Sequence, residues 1–227
     1  MALIAEDVLL LLLDDDSGTV KITAYPQAVV GGALLAELAL GGQVVIGDRP
    51  SFWHRPKLAT TSVAAPADAI LRRAYDHIAR YQPAASEAVT ELGKRAIPKL
   101  SQRLADQGVL AEVHEKTLGI FPRTRWPEAD AARERRLRDD LAAVLVGGIG
   151  PTPRLAAVIA LANAAGVTAK VVDRGGLTRS ELQRRAREVA DGDWAAKAVK
   201  DAIAAASAAI ITATTAATTT MMISSGS

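Results

Sequence analysis

Two short runs in this sequence interleave aromatic rings with cations. In Gly47-Asp48-Arg49-Pro50-Ser51-Phe52-Trp53-His54-Arg55-Pro56-Lys57, Phe52 and Trp53 stand between Arg49, Arg55 and Lys57. Arg123, Arg125 and Trp126 repeat the combination later in the chain. Tryptophan favours a water–lipid interface, and neighbouring cations attract anionic headgroups, so both runs are candidate membrane contacts. For Phe52–Lys57 an equal alternative is that Trp53 folds back on the core while its cations stay solvated.

Other residues of chemical interest resolve differently. Glu37 is the one charge in Ala33–Leu40, ALLAELAL. A lone carboxylate in an apolar helix acquires a raised pKa, a state used in catalysis, or finds a partner; an arginine or backbone donors are expected for Glu37. His54, His77 and His114 have no metal-ligand spacing. Asp14-Asp15-Asp16-Ser17-Gly18 lacks the alternating ligands and distal glutamate of a calcium loop, and is expected to be a solvated turn. Gly147-Gly148-Ile149-Gly150 follows a helical pattern and lacks the lysine and hydroxyl of a phosphate-binding loop. With no Ser–His–Asp motif discernible either, no catalytic residue, metal or cofactor is expected.

The chain has 227 residues, 49% hydrophobic and 23% charged, so it is globular and long enough for a continuous core. Aromatics make up only 4%, leaving alanine, leucine and valine to fill that core. Cysteine is absent, which removes disulfides and thiol chemistry and fits a reducing compartment. A net charge of +2 argues for no nucleic-acid partner by itself. The N-terminus lacks the basic flank of a secretory signal, and Leu9–Leu13 is too short to span a bilayer. A cytoplasmic protein is expected.

These residues must be positioned by a mainly α, single multi-helix domain over 1–217, with a few short strands, a β-hairpin and a frayed tail at 218–227. Ala5–Leu13 is a short helix or strand, and Thr19–Thr23 a strand. Ala33–Leu40, apolar nearly all round, is a buried central helix stopped by Gly41-Gly42 before the strand Gln43–Ile46. Helices are expected over Pro66–Gln82, on which His77 sits beside Ile78 as a boundary residue and not a ligand, then Ala84–Arg95 and Pro98–Gln107. A hairpin Val109–Phe121 follows, its polar tip at His114-Glu115-Lys116. Beyond it lie helices Glu128–Val146, whose mixed charges form a solvated, self-paired face, and Pro153–Ala165, the expected partner of the central helix. Val167–Asp173 is extended, Thr178 and Glu181 form a capping box for Arg179–Ala190, and a last helix runs from Trp194 to about Ala217. Leu118, Ile120 and Phe121 are more apolar than a lone hairpin can bury, which predicts a homo-oligomer.

Four blocks, in order and rough spacing, resemble the Golgi phosphoprotein 3 family over nearly the whole chain. They are Leu3–Leu13 with its Asp/Gly turn, Leu34-Leu35-Ala36-Glu37-Leu38-Ala39-Leu40, Gln107-Gly108-Val109-Leu110, and Leu155–Ala162. The Ala/Arg/Gly-rich composition is similar to a bacterial, actinobacterial, branch. The resemblance implies a non-enzymatic, helical, peripheral membrane protein acting as an adaptor for membrane proteins. In eukaryotic members a basic pocket grips phosphatidylinositol 4-phosphate, and a hydrophobic hairpin adds membrane or self-association contacts. Carried over by position, the pocket tryptophan falls near Ile22, its first arginine at Gly31, and its arginine pair near Lys94 and Ile97, with Arg95 adjacent. Only Lys94/Arg95 keep charge. Without bidentate arginine forks, salt-sensitive binding to anionic lipid is expected in place of specific phosphoinositide recognition. Its candidate residues are Trp53, Arg55, Lys57, Lys94, Arg95, Arg123, Arg125 and Trp126.

The alternative from another class is a winged helix-turn-helix, from helices Ala84–Arg95 and Pro98–Gln107 followed by the hairpin. Lys99, Gln102 and Arg103 would then face a DNA groove, with Arg123 and Arg125 flanking the wing.

Overall fold

All nine residues of α1 (Ile4–Leu12) are buried, Glu6 and Asp7 among them. The computed structural model describes residues 2–14, 17–20, 23, 25–47, 57–117, 121–193, 195 and 197–224. Next comes α2 (Pro26–Leu40), with a proline in its first turn and almost every residue from Ala28 to Ala39 buried. Gly42, at φ +69°, turns the chain into β1 (Val44–Ile46). That strand pairs antiparallel with β2 (Leu58–Thr60), Val44 opposite Thr60, a partner that sequence pattern did not reveal. The expected strand Thr19–Thr23 is reduced, among the described residues, to a single bridge between Leu13 and Val20.

Asp68 caps α3 (Ala69–Tyr81), its Oδ1 accepting the amides of Ile70 and Leu71 at 2.8 and 3.1 Å. The two helices expected between Ala84 and Gln107 are one 22-residue helix, α4 (Ala85–Asp106), with Pro98 inside it. Pro98 cannot donate to the Lys94 carbonyl, but both residues are exposed, so water can take that acceptor and the helix continues. The hairpin is displaced along the chain: β3 (Val113–Thr117) pairs with β4 (Phe121–Arg125), Val113 opposite Arg125. Leu110 is drawn into the core and bridged to Glu128, so pairing starts beyond it. His114, Glu115 and Lys116 therefore lie within a strand instead of at a tip. Leu118 and Ile120 lie outside the described residues, in the sequence joining the two strands.

The remaining helices are α5 (Ala132–Leu145), α6 (Pro153–Ala164), α7 (Thr168–Val171), α8 (Arg179–Asp191) and α9 (Lys197–Ser224). The Thr178–Glu181 capping box of α8 forms. Val167–Asp173, expected to be extended, contains the single turn α7: packing of buried Val167, Val171 and Val172 overrides β propensity. No glycine or proline interrupts α9, so it continues past the expected end at Ala217.

The described residues form a mainly helical fold around one core, with α2 at its centre. Its most extensive partner is α4 and not α6. Two glycines explain this. A Cβ on Gly31 would lie 1.7 Å from the Val89 carbonyl oxygen, and one on Gly93 1.8 Å from that of Gln27. The helices thus cross backbone to backbone, which only glycine permits.

Candidate functional site

A chain of ion pairs runs from Asp68 to Glu37 and links six elements. Arg103 of α4 reaches Glu6 at 3.3 Å and the α3 cap Asp68 at 2.7 Å. Arg133 of α5 bridges Glu6 at 2.9 Å and Asp7 at 2.7 Å. Arg154 of α6 joins Asp7 at 2.6 Å to Glu37 at 3.3 Å. Glu37 also accepts the Ile4 amide at 2.5 Å, so it has both kinds of partner expected of it. Burial nevertheless outweighs these contacts and holds its pKa above the ordinary glutamate value. Burial also raises Asp68, but the hydrogen bonds from Arg103, Leu71 and Ile70 prevail and leave it below the ordinary aspartate value. Each guanidinium serves two carboxylates, so the network latches α1 to its neighbours and leaves little charge for a ligand. The charges of α5 are correspondingly not all self-paired on a solvated face.

The α3–α4 pair differs. These helices form an antiparallel hairpin through residues 82–84, with Ile70, Leu71, Ala74 and Ile78 of α3 turned to the core. Between them lies a groove of about 470 Å³ with Leu34 of α2 at its base. Arg73, Arg80, Arg95 and Lys99 line it, against the single carboxylate of Asp76. Arg95 is paired with Glu91 at 2.6 Å on the exposed face of α4. Arg80 stacks over the exposed Tyr81 ring, 5.3 Å from its centroid. His77, half-buried at the groove wall, lies 4.9 Å from the Tyr81 ring. Burial, then the nearby Arg95, pushes its pKa below the ordinary imidazole value.

The structure brings some of the sequence-derived candidates to this face. Lys57 is exposed and bridged to Ala84 at the α3–α4 turn, where the Leu58 amide donates to the Pro83 carbonyl at 2.9 Å. Lys94 is exposed on α4, and Arg95 borders the groove. Trp53 and Arg55 lie outside the described residues. The second aromatic–cation run is elsewhere: the hairpin follows the C-terminal end of α4, while Lys57 marks its N-terminal end, and such a helix spans roughly 33 Å. There Arg125 is engaged with Glu115 and, at 3.0 Å, with the Ser17 carbonyl, and Trp126 packs half-buried on the core. Arg123 lies on β4 opposite Glu115, and Phe121 opposite Thr117. Arg73 and Arg80 were missed as candidates. Their spacing with His77 on one face of α3 was the available signal, masked by the apolar stripe that identifies the helix.

The premise of a helix-turn-helix fails, because α4 is continuous and Arg103 is committed to the ionic network. Among the described residues no helix is long and apolar enough to cross a membrane, and no cluster of His, Asp or Glu could hold a metal ion.

The model of the Golgi phosphoprotein 3 family, GPP34, matches residues 4–206. The chain belongs to the Golgi phosphoprotein 3 family. The match includes α1 to α8 and the start of α9, hence both the ionic network and the α3–α4 groove. No curated protein matches the chain. At Gly31, the position to which the resemblance carries the pocket arginine, the Val89 carbonyl fills the space a side chain would need. The α2–α4 crossing leaves no room for a side chain at this position.

Proposed function

We propose that this protein associates reversibly with anionic membrane surfaces through the face formed by α3, α4 and Lys57, and acts as a non-enzymatic adaptor there. The observation that carries this is the cationic groove, where four basic residues face one carboxylate. Family membership supports it independently. Lys94 extends the cationic face, and Trp53 and Arg55, just before Lys57 in sequence, belong to the same proposal. Near an anionic surface each cation contributes on the order of 1 kcal/mol, and salt screens the attraction. Binding should therefore depend on general anionic charge more than on one phosphoinositide. Sedimentation with phosphatidylglycerol vesicles should pull the protein down at low salt and release it at high salt, with phosphatidylcholine vesicles leaving it in solution. Equal sedimentation with both lipids would overturn the proposal.

Self-association through the β3–β4 hairpin, involving Leu118, Ile120 and Phe121, is part of the same proposal. A strict monomer at high concentration in sedimentation equilibrium would remove that part. Arg123, Arg125 and Trp126 join the membrane face only if this hairpin also meets lipid, which substitution of Arg123 in the vesicle assay tests directly.

A further inference from the structure

A charged face is enough to hold a protein on a membrane surface; a recess behind it serves something smaller. The α3–α4 groove, at about 470 Å³, is within the size range of small-ligand sites. Its floor is apolar, made by Leu34, Ile70, Ala74, Leu92 and Ala96. Arg73 sits toward the start of α3, and antiparallel packing places it across from the middle of α4, where Arg95 and Lys99 are one turn apart. Neither Arg73 nor Lys99 forms an ion pair among the described residues. The His77 Nδ1 is buried at the wall with no hydrogen-bond partner there, an orphan polar atom next to unspent positive charge.

We propose that the groove binds one anionic amphiphile, its hydrocarbon chain over Leu34, Ile70, Ala74, Leu92 and Ala96 and its phosphate or carboxylate held by Arg73, Arg95 and Lys99. This rests on the anionic-lipid function proposed above, and adds that a single molecule enters the protein. An apolar floor gives a free inorganic anion nothing beyond charge, and the cationic rim gives a neutral lipid no head contact. The two properties together select a molecule with both parts. Its source is either a membrane phospholipid or a free single-chain amphiphile, because the chemistry at the groove is the same.

The test is calorimetric titration of the full chain with dodecyl phosphate below its micellar concentration, beside inorganic phosphate and dodecyl maltoside. One-to-one saturation by dodecyl phosphate is expected, with both controls at least about tenfold weaker. Arg73→Gln and Lys99→Gln should each weaken binding about tenfold, and Ala96→Phe should fill the groove and abolish it. In the unsubstituted protein the His77 ring resonances should shift with the same midpoint, a readout independent of whether Ala96→Phe folds. Absence of saturable binding, or saturation that leaves His77 unmoved, overturns the proposal. Vesicle binding without dodecyl phosphate binding removes the groove site and leaves the surface function standing; the converse leaves the groove and removes the surface function. If the groove draws its ligand from the bilayer, Arg73→Gln and Lys99→Gln weaken phosphatidylglycerol vesicle binding in parallel. If it takes a free amphiphile, they weaken dodecyl phosphate binding far more.

Discussion

Replacing Gly31 with alanine separates two effects that adjacent glycines of α2 display side by side. The new Cβ would lie 1.7 Å from the Val89 carbonyl oxygen. A comfortable carbon–oxygen approach is roughly 3.3 Å, so α4 must retreat by about 1.6 Å. A gap of even 0.5–1 Å forfeits about a quarter to a half of each dispersion contact across it. Overpacking of this kind costs about 3 kcal/mol or somewhat more, and alanine's better helix propensity returns about 1 kcal/mol. The net loss is about 2–3 kcal/mol, or a fall in Tm of roughly 5–10 °C for a chain of this size. Gly32 is the internal control. There the Cβ would meet no backbone: Leu161 Cδ2 at 3.0 Å and Ile210 Cδ1 at 3.2 Å are side-chain ends that can give by a few tenths of an ångström, and Ala206 Cβ at 3.5 Å is in ordinary contact. Gly32→Ala should therefore stay within about 1 kcal/mol of the parent, with the same propensity gain. Urea denaturation of both variants is the assay; equal stability of Gly31→Ala and Gly32→Ala would refute the crossing argument. By the same geometry, Gly31→Arg should fail to fold instead of rebuilding a headgroup pocket.

The ionic network makes two further predictions. Arg133→Met leaves Glu6, 2% exposed, with Arg103 as its one guanidinium beside the Leu3 amide, and should cost about 3–5 kcal/mol in urea denaturation; a loss under about 1 kcal/mol would show that the latch contributes little. For Glu37, whose pKa is raised on folding, the stability contribution is full below the unfolded value near 4.5 and is lost as pH rises through the folded value. Glu37→Gln keeps an acceptor for the Ile4 amide and removes that dependence, so its stability relative to the parent should improve from pH 4 to pH 7. A pH-independent difference between the two would contradict this. A leucine at position 37 would leave the Ile4 amide without its acceptor; Arg154 would keep Asp7, so the cost lies mainly in the orphaned amide.

Local signals carried much of the fold. The Leu34–Leu40 string, the Thr152 and Thr178 caps and the periodicity of α3 each state a helix within the few residues that form it. What went unseen depended on distant partners. Pro98 marks a helix start unless its surroundings let water reach the Lys94 carbonyl. Leu110 reads as strand until the core beneath α4 takes it. Gly31 has no side-chain signature at all; its role exists only in the approach of Val89. Likewise Glu37 announced that a partner was needed, but Arg154 lies far along the chain and Ile4 contributes only a backbone amide. The candidate face was partly legible through Lys57, Lys94 and Arg95. Arg73 and Arg80 look like ordinary solvated residues until α4 is packed beside them.

The central claim, that the α3–α4 face holds the protein on anionic membrane, is tested most directly by moving a charge deletion between two surfaces. Lys57→Gln, Arg95→Gln and Lys99→Gln together remove three cations from the face. Arg174→Gln, Arg179→Gln and Arg187→Gln remove three from exposed positions next to and within α8. At about 1 kcal/mol each, the first triple should weaken binding to phosphatidylglycerol vesicles roughly a hundredfold at low salt, and the second far less. Equal losses from the two triples would contradict the claim, because they would report net charge and not a binding face.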